Sequence, residues 1–460
     1  MTEGRPVKAL LLFTLPLIAG DFFHLFYSMA DAFIVGRTLG INALAAVGCT
    51  VPLVTFVSGF AIGMTGGFSI VLAQRFGAAA GSGGDTGGKA SPDGVRRSFT
   101  VSILLCLITG VLLIALLLPL IRPFLRLLNT PAEITDDAVA YMFFIIGGIG
   151  FSMLNWMLTA AIRSMGDSRR PLYFMVASSL VNIALDYCFI LVFHWGVAGA
   201  AAATILAQIV SLLCCSVFIR RRLPQLLPTK TLLRSLPALL RDEAGAHLGL
   251  GISMGLQRSI VEVGNILVQG AMNSLGAMSI AAVAAGQRIR QLNMLPLFCM
   301  SMAIATFTAQ NYGAARIRRI YQGIRHACFI SLSFCAVMFF VNFLFGPQLA
   351  GLFLKDAPEA VALSSQYLRF IGASLSFLGL MLIFRSALQA LGKSISPTIC
   401  SILETVMSVA TAFVFIPAWG FIGVCLANPL SWIASGIPLY IAFALFVRKQ
   451  RKNFNRAEGD

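Results

Sequence analysis

Long apolar stretches separated by short polar segments follow one another along the whole chain of 460 residues. A membrane-spanning helix needs about 20 consecutive, mostly apolar residues, and each of these stretches reaches that length. The pattern predicts twelve spanning helices, at 9–36, 43–72, 98–121, 137–162, 172–194, 197–219, 247–271, 279–306, 326–348, 361–388, 397–417 and 420–447. The first stretch exceeds the length of a signal-peptide core and no small-residue cleavage site follows it, so we interpret it as a retained helix.

The chain repeats its own pattern. Segments 39–47 and 73–79 recur as 275–283 and 309–315, both at an offset of 236 residues. At offsets of 226 and 224 the matching pairs are Tyr141 with Tyr367, Gly166 with Gly392, Pro171 with Pro397, and Trp195-Gly196 with Trp419-Gly420. The Gly/Ser-rich segment 81–94, which the second copy lacks, accounts for the change of offset. Two six-helix units enter the membrane from the same side, which predicts parallel repeats.

This duplication sets the expected domain organisation of an all-α integral membrane protein. The predicted parts are an N-terminal six-helix lobe at 1–219, a cytoplasmic linker at 220–246, a C-terminal six-helix lobe at 247–447 and a basic cytoplasmic tail at 448–460.

Composition supports the same class. The chain is 58% hydrophobic and 11% charged, which leaves too little polar surface for a water-soluble globule of this length. The net charge of +16 raises the possibility of nucleic-acid binding, but most Lys and Arg residues lie at the N-terminus, in every second loop and in the tail. The alternate loops contain only Arg37, Arg122, Arg126 and Lys355. This distribution predicts an inner-membrane protein with both termini in the cytoplasm, in contact with lipid and not with nucleic acid.

Few acidic residues lie within the predicted spans. The five that lie away from the span ends are Asp21, Asp31, Asp186, Glu262 and Glu404. A carboxylate at the centre of a bilayer costs at least about 2.5 kcal/mol, so each needs a partner, a proton or a water-filled cavity.

Two of these acids have polar neighbours at helical spacing. His24, Tyr27 and Asp31 share one face of the first helix. Asp186 follows Asn182 by one turn. Desolvation and a neighbouring carboxylate both favour the protonated form of a carboxyl group, so such a site could exchange a proton or bind a cation. The structural alternative is that these groups form polar contacts that hold helices together.

The second copy lacks both acids. By offset, Asp31 corresponds to Leu267, and Asp186 to Ala410 or Ala412. Coupling chemistry is therefore expected in the N-terminal lobe.

The acids of the C-terminal lobe, Glu262 and Glu404, are weaker site candidates. Their structural alternative is an ion pair with Arg258, Arg288 or Arg290, whereas Arg385 is assigned to a cytoplasmic loop by the charge pattern.

Motifs for covalent chemistry are absent from the sequence. It contains no P-loop, no GxSxG and no HExxH motif, and its ten Cys show no metal-binding spacing. We expect no enzymatic activity, no catalytic residues, no metal and no cofactor.

Several motifs resemble one family of transporters. The strings are Tyr27-Ser28-Met29-Ala30-Asp31, Leu44-Ala45-Ala46-Val47-Gly48, Ala73-Gln74, Phe76-Gly77, Asn182-Ile183-Ala184-Leu185-Asp186 and Trp195-Gly196-Val197-Ala198-Gly199. In order and spacing they are similar to helices one, two, five and six of the multidrug and toxic compound extrusion (MATE) transporters, across essentially the whole chain.

The resemblance implies efflux of organic, often cationic, compounds in exchange for H⁺ or Na⁺ by rocking of two lobes. It also implies a cation-coupling cluster like that of the prokaryotic DinF-like branch, at Tyr27, Asp31, Asn182, Asp186 and Thr204. Another branch carries a cation-binding Glu early in helix seven, where this chain has Ser259, with Glu262 a turn later.

Three functional hypotheses follow. The first is a secondary antiporter for small organic molecules, in which H⁺ is favoured over Na⁺ because a proton needs only one carboxylate. The second is a flippase for lipid-linked saccharides of the same broad superfamily, and the third is a channel, receptor or membrane enzyme. We expect the protein to act as a monomer.

Overall fold

The computed structural model describes residues 1–81, 92–127, 130–354 and 357–457, and within these ranges all regular structure is helical. The predicted Gly/Ser-rich loop, Lys355 and the last residues of the tail therefore lie wholly or largely outside the described residues. The α-helices are α1 Pro6–Gly81, α2 Pro92–Leu117, α3 Ile121–Leu127, α4 Ala132–Gly147, α5 Ile149–Ser164, α6 Arg169–Tyr187, α7 Gly196–Arg222, α8 Lys230–Arg234, α9 Leu236–Asn273, α10 Ala277–Gly313, α11 Ile317–Gly351, α12 Pro358–Ala390, α13 Ile395–Ala410, α14 Ile416–Trp419 and α15 Phe421–Ala457. Short 3₁₀ segments occur at Leu118–Leu120 and Pro224–Leu226, and π-helical segments at Cys188–Val192 and Thr411–Phe415.

The predicted spans all fall on these helices. Within the described ranges, ten helical segments are long and apolar enough to cross a membrane, and α4 with α5 forms a further span bent by 45°. The first two predicted spans both lie in α1, which is interrupted at Gly40 (φ 86°, ψ −173°). The remaining span is α9, whose mean hydropathy is lowered by polar residues. The structure thus confirms an all-α membrane protein.

The sequence repeat is visible in the backbone. Gly40 and Gly276 share a φ of 86° at the offset of 236 residues, a conformation that residues with a Cβ rarely adopt. Left-handed glycines also recur at the other two offsets, as Gly166 with Gly392 and Gly196 with Gly420. The π-helical segments Cys188–Val192 and Thr411–Phe415 end α6 and α13, which occupy equivalent places in the two copies. The two copies therefore share local conformation as well as sequence.

The described chain forms two compact units. Unit 1 contains Met1–Thr2, Leu11–Gly255 and Ala309–Arg316. Unit 2 contains Glu3–Leu10, Leu256–Thr308 and Ile317–Asp460.

Unit 1 includes a close helix crossing between the end of α1 and the end of α10. A Cβ on Gly77 would lie 1.9 Å from the Gln310 carbonyl oxygen, and a Cβ on Gly313 would lie 1.9 Å from the Gln74 carbonyl oxygen. Both pairs are related by the 236-residue offset, so the equivalent turns of the two copies pack against each other. Only glycine permits this backbone approach.

Unit 2 is built around α12. Buried residues make up 67% of the spanning window of α12, against 17% for α11. Tyr367, Leu368 and Leu375 of α12 are fully enclosed. Most of α12 therefore lies inside the packed part of unit 2.

Candidate functional site

Three helices of unit 1 carry the predicted coupling residues. Tyr27 and Asp31 lie one turn apart on α1, and Asn182 and Asp186 lie one turn apart on α6. Thr204 lies on α7, which packs against α6. Residues at i and i+4 lie on the same face of a helix, so each pair points in one direction. The structure brings all five residues together.

The centre of the site is a pair of carboxyl groups. The side chains of Asp31 and Asp186 are within hydrogen-bonding reach of each other. Asp186 is completely buried, whereas Asp31 is partly accessible. Among the described residues, Oδ1 of each carboxyl has no donor partner. Because ionised carboxylates only accept hydrogen bonds, a hydrogen bond between the two requires a proton on one of them.

Asn182 orients this pair from one turn below. With its amide placed to satisfy its neighbours, Nδ2 donates to Asp186 Oδ2 at 3.1 Å and Oδ1 accepts from the Thr204 backbone N–H at 3.2 Å. Asn182 is fully buried, so both contacts form away from solvent. The amide therefore presents a donor to the carboxyl pair, while its oxygen accepts from the backbone of α7.

Tyr27 completes the connection between α1 and α7. Its hydroxyl is hydrogen-bonded to the Thr204 side chain, whose Oγ1 also donates to the Ala200 carbonyl oxygen at 3.1 Å. His24 packs edge-on against Tyr27 with a centroid separation of 5.5 Å. His24 therefore supports the ring of Tyr27.

A further residue, Tyr141 of α4, belongs to the site and was missed as a site candidate. Its phenol lies within electrostatic range of both Asp31 and Asp186. The sequence identified Tyr141 only as the repeat partner of Tyr367. Its position beside the acids depends on how α4 packs, which the spacing of one helix does not reveal.

The helices that carry the carboxyl pair also share an apolar cluster. Ile34 and Val35 of α1, Ile190 after α6 and Ala200 of α7 form one buried cluster, with Tyr141 packed against it. Apolar packing therefore holds together the same helices that position the two acids.

The other intramembrane acids have separate environments. Asp21 is exposed on α1 and does not join the carboxyl pair. Glu262 accepts a hydrogen bond from Asn265 Nδ2 at 3.2 Å. Glu404 is buried and forms an ion pair with Arg385 at 2.5 Å.

Two assignments for these acids need correction. Arg385 lies inside α12, so the assignment to a cytoplasmic loop was wrong. Arg385, and not Arg258, Arg288 or Arg290, is the ion-pair partner of Glu404. The charge pattern placed Arg385 in a loop because it lies only five residues from the end of α12 at Ala390.

Buried carboxyl groups inside a bundle of membrane-spanning helices are typical of the substrate and ion pathways of transport proteins. The MatE family model matches residues 16–188 and 254–414, which is most of the chain. This protein therefore belongs to the MatE family, as the motifs in α1, α6 and α7 indicated, and it is a transporter and not an enzyme.

Curated relatives and solved structures agree with this assignment. The probable multidrug resistance protein YpnP of Bacillus subtilis (strain 168) is 26% identical over 406 residues, covering 88% of this chain and 86% of YpnP. The FAD transporter of Shewanella oneidensis is 26% identical over 446 residues, covering 94% and 93% of the two chains. The fold matches the crystal structure of the Vibrio cholerae MATE transporter VcmN in the bent form, with a TM-score of 0.85 at 22% identity over 96% of this chain and 97% of VcmN.

Proposed function

We propose that this protein is a secondary active efflux transporter that exchanges organic compounds for H⁺ by alternating access. The observation that carries the proposal is the close approach of the Asp31 and Asp186 carboxyl groups inside unit 1, where Asp186 is completely buried. One relative is named as a multidrug resistance protein and another as an FAD transporter, which supports transport of sizeable organic molecules. The flippase alternative is not favoured, because the relatives named here are called a probable multidrug resistance protein and an FAD transporter.

The geometry favours H⁺ over Na⁺ as the coupling ion. A Na⁺ site needs several oxygen ligands, as hard cations do in proteins. Here the oxygen of Asn182 accepts from the Thr204 backbone N–H, and the amide nitrogen points to Asp186. The hydroxyl of Thr204 is hydrogen-bonded to Tyr27. Among the buried oxygens of these five residues, the two that have no hydrogen-bonding partner are the carboxyl Oδ1 atoms, and a proton needs no more than these whereas Na⁺ needs several ligands.

In this mechanism the carboxyl pair takes up a proton when it is enclosed and releases it when Asp31 reaches water. Enclosure favours the shared proton, because desolvation and the second carboxyl both oppose charge. Differential proton affinity between two access states is what allows a gradient to shift a conformational equilibrium. The protein works in the cytoplasmic membrane with both termini in the cytoplasm, as a monomer.

The test compares driving ions in proteoliposomes. Transport of ethidium or FAD is followed with a H⁺ gradient alone, and separately with a Na⁺ gradient alone while an ionophore removes the H⁺ gradient. We expect uphill transport only with the H⁺ gradient. Sustained transport with Na⁺ alone would overturn the proton assignment, and no response to either gradient would overturn coupled antiport.

A further inference from the structure

One face of the unit 2 part of α9 is polar along most of the predicted span 247–271. The side chains at i, i+4, i+7, i+11 and i+15 of this face are Arg258, Glu262, Asn265, Gln269 and Asn273. Glu262 is half-buried and the other four are exposed. With a rise of 1.5 Å per residue, the stripe extends for about 22 Å along the helix.

This stripe cannot face lipid. The exposed apolar residues Ile252, Leu256, Val263 and Ile266 lie on a different face of α9, about 100° away around the helix axis. A single Arg at mid-bilayer costs at least about 2.5 kcal/mol on insertion scales, so an exposed stripe of five polar side chains must line water. The apolar face contacts lipid and the polar stripe lines an aqueous surface.

A second exposed cation lies on the following helix. Arg288 and Gln291 of α10 are exposed within the predicted span 279–306. Only Ser274–Gly276 separates α9 from α10, so the two helices form a hairpin. Distances along the helix axes can be counted from the helix ends at this turn, with a rise of 1.5 Å per residue. Arg258 is then about 22 Å from the turn, Gln291 about 21 Å and Arg288 about 16 Å. Gln291 therefore lies at the depth of Arg258, and Arg288 lies about one helical turn nearer to the connection.

Neither guanidinium is neutralised. Within the described part of the chain, Arg258 and Arg288 form no hydrogen bond and no ion pair, whereas Arg385 is bonded to Glu404 and Arg290 donates to Asn428 Oδ1 at 2.9 Å. The charges that act on Arg258 are Glu262, one turn away and bonded to Asn265, and the already paired Arg385. The polar surface of unit 2 thus carries two free cations against one acid.

We infer that this surface is a substrate-binding face for organic anions, with Arg258 and Arg288 binding a carboxylate or phosphate group of the solute. Guanidinium groups recognise such groups through charge-assisted, bidentate hydrogen bonds. The amides of Asn265 and Gln269 supply further hydrogen bonds along the stripe. The inference rests on the proposed transport function and refines its substrate class, since the family resemblance implied cationic compounds.

Equilibrium binding to the purified full-length protein tests this assignment without any ion gradient. Fluorescence polarisation is measured with carboxyfluorescein as the anionic probe and ethidium as the cationic probe. We expect Arg258→Gln and Arg288→Gln to weaken carboxyfluorescein binding at least tenfold while ethidium binding changes less than twofold. The matched control is Arg369→Gln, an exposed arginine of unit 2 that stacks on Phe343 at 5.2 Å, and it should bind both probes like the wild type.

Arg258→Lys keeps the charge and loses the bidentate geometry, so it should show an intermediate affinity for carboxyfluorescein. If Arg258→Gln does not elute as folded protein in size-exclusion chromatography, Arg258→Lys and Arg288→Gln decide the question. Wild-type affinity for carboxyfluorescein in these variants, or no binding of carboxyfluorescein to the wild type, would overturn the inference. A failure of ion coupling in proteoliposomes would instead overturn the proposed function and leave this binding result standing.

Discussion

At the scale of single residues, the amide of Asn182 controls what the carboxyl pair can bind. Its nitrogen donates to Asp186 and its oxygen is held by the backbone of α7. A buried hydrogen bond to a charged group contributes about 1.5–3 kcal/mol. The amide therefore has a large effect on the ionised state of the pair without binding the ion itself.

Replacement of Asn182 by Ala should lower gradient-driven transport by roughly tenfold or more, because each 1.4 kcal/mol corresponds to a factor of ten. Initial rates in proteoliposomes measure this. The control is Ser179→Ala on the same helix, since Ser179 is equally buried but its hydroxyl donates only to the Met175 carbonyl oxygen. A wild-type rate for Asn182→Ala would contradict the role of the amide.

The residues of the site differ in how far the sequence revealed them. Acids stand out in an apolar span, because their insertion is costly, and helical spacing connects Asp31 with Tyr27. That Asp31 approaches Asp186 followed from the family resemblance and not from periodicity. Tyr141 and the Arg385–Glu404 pair escaped detection, because contacts between different helices depend on packing that an apolar pattern does not encode.

At the scale of helices, the ion pair between α12 and α13 is a structural element of unit 2. Arg385 and Glu404 have side-chain exposures of 15% and 10%, so both are shielded from water. Removing one partner of a buried pair typically costs about 3–5 kcal/mol, because the other charge remains buried.

We therefore expect Glu404→Gln to lower the thermal unfolding temperature of the purified protein, as measured by fluorescence-detected size-exclusion chromatography after heating. The double variant Arg385→Gln with Glu404→Gln should recover part of the loss, since it leaves no unpaired charge. If Glu404→Gln kept wild-type thermal stability but stopped transport, Glu404 would belong to the transport site instead.

The crossing of α1 with α10 gives a second prediction at this scale. Gly77→Ala inserts a Cβ into the backbone at Gln310, and overpacking of this kind costs about 1–3 kcal/mol. The variant should unfold at a lower temperature than the wild type. Gly48→Ala is the control, because a Cβ at Gly48 on the same helix meets nothing within 4 Å. Equal unfolding temperatures for the two variants would contradict the packing role of Gly77.

The sequence predicted the positions of the helices well, but it did not predict the polar face of α9. Eleven of the predicted spans satisfy a simple length and hydropathy criterion when the bent pair of α4 and α5 counts as one. The apolar residues of 247–271 predict a span, but they do not reveal that Arg258, Glu262 and Asn265 lie on one face. Averaging over all faces of a helix conceals such a stripe.

At the scale of the whole molecule, the two copies share backbone features but differ in their polar and charged residues. The left-handed glycines and π-helical segments recur in both copies. The carboxyl pair lies in unit 1, and the equivalent positions of the second copy are Leu267 and either Ala410 or Ala412. Unit 2 instead carries the exposed arginines of α9 and α10. The duplication supplies a common framework, and each copy has acquired its own polar residues.

The central claim is that the pair of Asp31 and Asp186 couples an ion gradient to transport. The most direct measurement compares two assays on the same proteoliposomes, containing wild-type protein, Asp31→Asn, Asp186→Asn or the control Asp21→Asn. One assay is uphill uptake driven by a H⁺ gradient, and the other is exchange of labelled for unlabelled substrate without any gradient. We expect both Asp31→Asn and Asp186→Asn to abolish uphill uptake and to retain exchange, while Asp21→Asn behaves like the wild type. Uphill uptake at the wild-type rate by Asp31→Asn and Asp186→Asn would contradict the account.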